Sequence, residues 1–283
     1  MTTYHDAPNI YPRDVVLKVV DLNRSLAFYQ NIMGLKKMKE IKDGHVLTAD
    51  GRTPLVTITT GPEIKPKLER RTGLYHFAVL LPDRTSLGLF LKNLVSQNYP
   101  LSGGAYHGVS EAVYLQDPDD NGIEIYTDTP EESWDRNDDS INMVTQPLDF
   151  EELIALAEGN TWTGAPSDTV LGHMHLHVGD LEKTYEFYRA LGFEVTQHLR
   201  QQVYFVSTGG YHHHIGFNIW NGRDAAPQPE GRAGMKYFTL KFPSREVMDE
   251  AVHKLKEAGY PVTKEGEALY ARDPSENFIK FID

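Results

Sequence analysis

The chain has 283 residues, of which 40% are hydrophobic and 11% aromatic, so a globular protein with one large core or two ordinary ones is expected. Its net charge of −12 argues against nucleic-acid and anionic-membrane partners, which would repel it. The absence of cysteine excludes disulfides and thiolate ligands, so any metal must be held by nitrogen and oxygen atoms. No apolar run approaches the ~18–20 residues of a membrane span. The first residues lack the basic and apolar regions of a signal peptide, and we expect a cytoplasmic protein.

Internal repeats organise the chain. The predicted strand and helix that begin at Asp14 recur in the sequence that begins at His173, and the segment that begins at His76 recurs at Tyr237. The segments that begin at His76 and Tyr237 both contain a Tyr-Pro pair after the helix, and both close with Asp-Pro-x-x-Asn before a last strand. Four repeat units result, which cover residues 10–62, 72–130, 168–222 and 235–283.

Each unit has the same predicted order of elements. A short alternating strand comes first, a helix follows, and two or three strands broken by Gly, Asp and Asn turns complete a βαβββ unit. In units one and three, Asp21 and Asp180 stand near the predicted helix start, where a short acidic side chain satisfies free backbone N–H groups. Residues 136–165 are predicted to form a linker with one short helix between two domains, 1–135 and 166–283.

Four tandem βαβββ units resemble the vicinal oxygen chelate superfamily, which includes glyoxalases and extradiol dioxygenases. The resemblance covers nearly the whole chain outside the linker. It implies an α+β fold in which the units form two cupped, incompletely closed β-barrel modules. It also implies that metal ligands project into a cup from the first and last strands of the units, although the fold alone does not define the chemistry.

Alignment of the repeats shows which units retain metal donors. The first-strand position is occupied, in chain order, by Asp14, His76, His173 and Tyr237. The last-strand position holds Glu124 in unit two but Lys280 in unit four. A protonated lysine cannot bind a metal and repels a dication, so unit four is degenerate there.

Two pairings of the units are compatible with these donors. If neighbours pair, units one and two offer Asp14, His76 and Glu124, and His173 lies in the other module. If units two and three share a cup, it contains His76, His173 and Glu124. Two imidazoles and one carboxylate form the facial triad that leaves positions open and suits Fe(II). We favour the second pairing on ligand chemistry.

Each of these residues could also have a purely structural role. A single histidine on an amphipathic strand is more often a hydrogen-bonded structural residue than a ligand, and Glu124 alternates with Ile123 and Ile125 as it would on the solvent face of an edge strand. The metal hypothesis is favoured because all three donors occupy repeat-equivalent positions that point into one cup.

The residues that precede Glu124 resemble the signature of extradiol ring-cleavage dioxygenases. The stretch contains His107, then an apolar residue and Tyr114, two further residues, Asp117-Pro118, and the ligand Glu124. It departs from the family pattern at two positions, Ala105 and Asp120.

A second resemblance lies in unit three. The run Tyr211-His212-His213-His214-Ile-Gly-Phe resembles the His-His-x-apolar-small-Phe strand of extradiol enzymes, whose second histidine is the acid/base at the metal. Carried over, that residue is His213, with His212 beside it. If the run is a strand, alternation places His212 and His214 on one face and His213 on the other.

The resemblance implies an Fe(II)-dependent enzyme that cleaves a catecholic ring next to its paired hydroxyls with O₂. His213 would move protons, because an imidazole titrates near neutrality, and His107 and Tyr114 would hydrogen-bond developing oxyanions. No organic cofactor is expected. Oligomers are common in the family, so the resemblance is compatible with a homo-oligomer. Three alternatives remain: a glyoxalase-like isomerase or transferase that uses Mn(II), Zn(II) or a similar ion, a hydroquinone-cleaving dioxygenase, and a non-catalytic small-molecule binder.

Overall fold

The computed structural model describes residues 3–137, 140–199 and 201–283. Each of the four units contains the predicted strand, helix and three further strands. Unit one comprises β1 (Tyr11–Lys18), α1 (Leu22–Asn31), β2 (Lys36–Ile41), β3 (Gly44–Thr48) and β4 (Val56–Thr59). Unit two comprises β5 (Gly73–Leu80), α2 (Arg84–Ser96), β6 (Gly103–Tyr106), β7 (Ser110–Gln116) and β8 (Gly122–Asp128).

The second half of the chain repeats this order after a short intervening segment. That segment contains β9 (Arg136–Asn137), β10 (Ser140–Ile141), β11 (Gln146–Pro147) and α3 (Phe150–Leu156). Unit three comprises β12 (Val170–His177), α4 (Leu181–Ala190), β13 (Glu194–Leu199), β14 (Val203–Ser207) and β15 (Ile215–Asn218). Unit four comprises β16 (Gly234–Lys241), α5 (Arg245–Glu257), β17 (Val262–Glu265), β18 (Ala268–Arg272) and β19 (Phe278–Ile282).

The helices of units one and three begin where the sequence predicts. The side chain of Asp21 accepts a hydrogen bond from the backbone N–H of Arg24 at 3.0 Å, and Asp180 accepts one from Lys183 at 3.1 Å. Each satisfies a donor that the first helical turn leaves free. The N-terminal capping predicted for Asp21 and Asp180 is confirmed.

Two large sheets combine the units in a crossed arrangement. The nine-stranded sheet has the order β11-β6-β7-β8-β5-β12-β15-β14-β13, and the eight-stranded sheet has the order β17-β18-β19-β16-β1-β4-β3-β2. At the centre of the first sheet β5 pairs antiparallel with β12, and at the centre of the second β1 pairs antiparallel with β16. Units two and three therefore share one module, as we favoured, and units one and four share the other. Each proposed sequence domain, 1–135 and 166–283, contributes one unit to each module.

Strand alternation separates the core from the inner face of each module. In β12, Met174 and Leu176 are fully buried in the main hydrophobic cluster. His173, His175 and His177 alternate with them and lie on the opposite face of the strand, where His175 contacts His76 and His177 contacts Asn218. Period-two alternation thus directs every second residue of the strand to the cup.

The segment 136–165 packs closely on unit two. A Cβ atom on Gly88 of α2 would lie 2.1 Å from the carbonyl oxygen of Leu153 in α3, so glycine permits the close contact of the two helices. Strand β11 extends the nine-stranded sheet by pairing with β6. Residues 138 and 139 of the segment lie outside the described residues. Among the helices of the described ranges, none has the length and apolar character of a membrane span.

The Asp-Pro-x-x-Asn sequences form matched turns before the last strands of units two and four. Asp273 accepts hydrogen bonds from the backbone N–H groups of Ser275 at 2.8 Å and Asn277 at 2.9 Å, and from the Asn277 amide at 2.8 Å. Asp117 makes the same three contacts and also accepts one from a tyrosine hydroxyl. In the turn of unit two, Asp120 has φ 61°, the left-handed conformation that glycine favours and that aspartate tolerates. This accounts for the departure from the family pattern at Asp120.

We predict that Asp273→Ala lowers the free energy of unfolding by about 3 kcal/mol, because three buried donors lose their acceptor. The matched variant Asp180→Ala removes one exposed helix cap and should cost about 1 kcal/mol. Urea denaturation of both variants measures the difference. Equal losses in the two variants would contradict this account of the turn.

Candidate metal centre

Three buried donors converge on the inner face of the module formed by units two and three. They belong to His76, Glu124 and His173, and their donor atoms all lie within 4.8 Å of one another. The Glu124 Oε2 atom lies 3.0 Å from His76 Nε2 and 3.2 Å from His173 Nε2. The two Nε2 atoms lie 3.3 Å apart. The three residues singled out by repeat comparison are therefore brought together.

The strand register explains this convergence. His173 in β12 pairs with Ala78 in β5, and Ala78 pairs in turn with Glu124 in β8. The three residues form one row across the sheet, and the small alanine leaves the space between the imidazole and the carboxylate open. His76 lies two positions before Ala78 on the same strand, so its side chain points to the same face.

The spacing of the donors fits a divalent metal ion. Three ligand atoms that bind one ion at about 2.1 Å and meet near right angles lie about 3 Å apart, which matches the distances between these atoms. The set of two imidazoles and one carboxylate suits Fe(II), Mn(II) or Zn(II) by its chemistry. His173 Nδ1 is buried and has no hydrogen-bond partner among the described residues, so its orientation depends on packing.

The protonation states suit metal binding as well. Burial lowers the pKa of His173 to about 4, although the nearby Glu124 carboxylate acts in the opposite direction. Burial also opposes ionisation of Glu124, but the imidazoles of His173 and His76 hold its pKa well below the usual value. At neutral pH the carboxylate is ionised and the His173 imidazole is neutral, which are the forms that bind a cation.

Tyr114 and His107 form a hydrogen-bonded pair beside the triad. His107 Nδ1 lies 2.7 Å from the carbonyl oxygen of Val144 and must donate to it, so His107 Nε2 accepts from the Tyr114 hydroxyl at 2.7 Å. Burial, together with the Glu124 carboxylate, raises the pKa of Tyr114 well above 10. The phenol is therefore protonated, its proton is directed to His107, and its oxygen lone pairs are free to accept a hydrogen bond.

The three consecutive histidines precede strand β15, which begins only at Ile215. Strand alternation therefore does not apply to them. The His213 ring lies beside His173, with 4.0 Å between ring centroids, and His212 Nδ1 lies 2.7 Å from His213 Nδ1. His214 turns away, and its Nε2 donates to the carbonyl oxygen of Tyr4 at 3.0 Å. Of the three, His213 and His212 are close to the triad.

Burial holds the pKa of His213 well below 6.5, and neighbouring imidazoles, His173 first among them, lower it further. Its neutral form is therefore the form present at neutral pH. A neutral imidazole has one nitrogen with a free lone pair, as a general base requires.

Two further histidines, which the repeat comparison does not predict as site residues, lie on the inner face. The His175 ring lies 4.9 Å from the His76 ring, and its Nε2 accepts from the Asn218 amide at 2.9 Å. His177 Nδ1 donates to Asn218 Oδ1 at 2.8 Å. The signal was present in the sequence, because His-x-His-x-His in a strand places all three imidazoles on one face. The partner Asn218 lies on another strand and gave no local signal.

A cavity of about 1390 Å³ reaches the triad at His76. Its lining also includes Tyr114 and, from the other module, Tyr237. A cavity of this volume is large enough for a small aromatic molecule. Tyr75, which also lines it, is 39% exposed, and its ring centroid lies 4.9 Å from that of His76 and 5.0 Å from that of His175.

The corresponding positions of the other module carry no convergent donors. Asp14, Thr239 and Lys280 form the equivalent row across β1, β16 and β19. The Asp14 carboxylate is buried, accepts from Thr239 Oγ1 at 3.1 Å and pairs with Arg13 at 2.6 Å. Its charge is neutralised by the guanidinium, and it is separate from the triad.

We predict that His76→Ala, His173→Ala and Glu124→Ala each abolish retention of a divalent metal, whereas Asp14→Ala retains it. Removing one of three ligands leaves too few donors, but Asp14 lies in the other module. Metal content of the four purified variants after reconstitution and desalting measures this. Metal loss in Asp14→Ala with retention in His173→Ala would overturn the assignment of the ligands.

We predict that the metal-free protein loses stability as the pH falls below about 6.5. Six buried or half-buried histidines have a lowered pKa in the fold, so the unfolded chain binds more protons below that pH. Each adds a slope of up to about 1.4 kcal/mol per pH unit to the free energy of unfolding. These histidines are His5, His173, His175, His177, His213 and His214. Urea denaturation at several pH values between 7 and 5 gives the slope.

His214→Gln should reduce that slope by the contribution of one proton, which is up to about 1.4 kcal/mol per pH unit. His253→Ala, at an exposed histidine, should leave the slope unchanged. A free energy of unfolding that is independent of pH over this range would contradict the prediction.

Comparisons with known proteins agree with the fold and its duplication. A family model described as the Glyoxalase/Bleomycin resistance protein/Dioxygenase superfamily matches residues 14–125 and again residues 170–281. The catechol-2,3-dioxygenase of Bacillus subtilis (strain 168) is 41% identical over 288 residues, which cover 100% of both chains.

Two solved structures have a similar fold. A putative dioxygenase from Bacillus subtilis subsp. subtilis str. 168 has a TM-score of 0.68 at 15% identity and aligns over 96% of this chain and 84% of its own. Glyoxalase I from Zea mays has a TM-score of 0.60 at 17% identity and aligns over 97% of this chain and 92% of its own. Identities this low show the fold alone. Since the family model matches both halves of the duplication and the Bacillus relative matches throughout, the chain belongs to the Glyoxalase/Bleomycin resistance protein/Dioxygenase superfamily.

Proposed function

We propose that this protein is an Fe(II)-dependent extradiol dioxygenase, which cleaves a catecholic ring next to its two adjacent hydroxyls with O₂. The observation that carries the proposal is the convergence of His76, His173 and Glu124 at the distances that three ligands of one ion require. The relative that is 41% identical over its whole length is called a catechol-2,3-dioxygenase, which supports the same reaction class.

Ferrous iron, when bound by the triad, supplies the redox chemistry that allows O₂ to react with an aromatic diol. The chain's own residues bind the diol and move its protons. Neutral His213, beside His173, accepts a proton from one hydroxyl of the diol and later returns it to the ring-opened product. The adjacent hydroxyl donates to the Tyr114 oxygen, whose own proton is held by His107.

The donor set also bears on the alternative of a glyoxalase-like enzyme. Such enzymes commonly hold their metal with four protein ligands. Among the described residues, three donors form the convergent group, and neither His213 nor His214 joins it within 4.8 Å. Three ligands leave adjacent positions for a diol and O₂, which favours the dioxygenase.

The intact triad likewise counts against a non-catalytic binder. The cavity volume is large enough for catechols and hydroquinones alike, so the hydroquinone-cleaving alternative must be separated by assay. A cytoplasmic location and a homo-oligomer stay predictions.

The direct test is anaerobic reconstitution with Fe(II), followed by an oxygen-electrode assay with catechol, methylcatechols and hydroquinones. We expect O₂ uptake with a vicinal diol, dependent on ferrous iron and absent with Zn(II) or Mg(II). Iron that binds stoichiometrically without O₂ uptake on any of these compounds would rule out the proposal. Uptake with hydroquinones alone would establish the hydroquinone alternative.

We predict that His213→Ala retains one iron per chain but lowers kcat by about 100-fold or more, because a positioned acid/base contributes about 10²–10⁴ in rate. His253→Ala is the matched control, since that histidine lies on the exposed face of α5 and should have wild-type kcat. Wild-type turnover in His213→Ala would refute the role of His213.

A further inference from the structure

We propose that Asp128 is a positioning residue that fixes the tautomer of His213 through His212. The inference rests on the proposed function, because it concerns the residue that would move substrate protons. Asp128 lies at the end of β8, and its Oδ1 is 3.0 Å from His212 Nε2. His212 Nδ1 is 2.7 Å from His213 Nδ1. A carboxylate, an imidazole and a second imidazole thus form one chain that ends beside the metal ligand His173.

The first contact determines the tautomer of His212. An ionised carboxylate only accepts hydrogen bonds, so His212 Nε2 must carry the hydrogen that it donates to Asp128. His212 is completely buried, and a neutral imidazole that donates from Nε2 carries no hydrogen on Nδ1. Its Nδ1 atom is then unprotonated and presents a lone pair to His213.

The second contact transfers this constraint to His213. With His212 Nδ1 as acceptor, His213 Nδ1 must be the donor at 2.7 Å. The neutral His213 ring then carries its hydrogen on Nδ1, and its Nε2 atom has a free lone pair. Among the described residues, no protein group forms a hydrogen bond with His213 Nε2. The chain of contacts therefore leaves His213 Nε2, the nitrogen that is free for substrate, as the base.

Asp128 is itself held in place for this role. The Tyr211 hydroxyl lies 3.1 Å from each of its carboxylate oxygens, and the Tyr126 hydroxyl lies 2.8 Å from that of Tyr211. Strand alternation places Asp128 on the same face of β8 as Glu124. One strand thus provides both the metal-ligating carboxylate and the carboxylate that orients the base.

A merely structural role for Asp128 predicts something different. If the carboxylate only holds the turn before β15, a side chain that fills the same space should preserve activity. If it fixes the tautomer, removal of the acceptor is harmful however well the space is filled. Asp128→Ala and Asp128→Leu separate these two roles, because neither side chain accepts a hydrogen bond and leucine restores the volume.

The first readout is the tautomeric state of the two histidines and does not require turnover. Proton–nitrogen correlation spectra of the Zn(II)-loaded protein with ¹⁵N-labelled histidine should show the hydrogen on Nε2 of His212 and on Nδ1 of His213. His212→Gln and His213→Gln assign the signals. In Asp128→Leu both rings should become tautomeric mixtures. An unchanged Nδ1–H signal of His213 in that variant would overturn the proposal.

The second readout is the separation of kcat from KM in the Fe(II)-loaded enzyme. We expect Asp128→Ala and Asp128→Leu to lower kcat by about 100-fold or more, with KM and iron content within about threefold of wild type, since loss of tautomer control alone is severe in catalytic histidines. Asp249→Leu is the matched control, because this aspartate is exposed on α5, and its kcat should stay within about threefold of wild type. Wild-type kcat in Asp128→Leu would overturn the proposal, whereas an inactive wild-type enzyme with the expected spectra would count against the proposed function alone.

Discussion

The antiparallel pairing of β5 with β12 is the contact on which the candidate metal centre depends. It places His173 opposite Ala78 and, through the parallel pairing of β5 with β8, brings Glu124 into the same row. A slip of one residue would turn these side chains to the helix-covered face of the sheet. The main hydrophobic cluster fixes the register, because Met174 and Leu176 must remain on the other face of β12.

The same pairing explains why the two modules differ although their geometry is shared. In the second module the row contains Asp14, Thr239 and Lys280. A lysine and an aspartate paired with Arg13 cannot replace a carboxylate and an imidazole as metal ligands. Duplication therefore preserved the backbone framework in both modules, while the donor set is complete in one.

Much of the site could be predicted from sequence because repeats convert sequence position into spatial position. His76, His173 and Glu124 were identified by alignment of the units, and the structure brings them together. The helix caps formed by Asp21 and Asp180 could be predicted for another reason, because helix capping depends only on residues three positions apart.

Other features depend on contacts between distant parts of the chain and could not be read in this way. The histidine run was interpreted as part of a strand, but β15 begins after it. His107 is oriented by the carbonyl of Val144, which belongs to the segment between the two halves. Asp128 and His212 are 84 residues apart in the chain. Such contacts follow from tertiary packing, for which a local pattern gives no signal.

The candidate site combines three buried donors, one of them an ionised carboxylate, with a neutral imidazole beside them and a cavity that reaches His76. Burial keeps the imidazoles of His173 and His213 neutral, and the strands hold the three donors about 3 Å apart. In the proposed reaction, a metal bound there would have open positions for a diol and O₂. The measurement that tests this most directly is the isotopic composition of the product formed from catechol under ¹⁸O₂ by the Fe(II)-loaded protein. The account predicts a ring-opened product that contains two ¹⁸O atoms, both from O₂. A product without ¹⁸O, or one formed equally well under nitrogen, would contradict it.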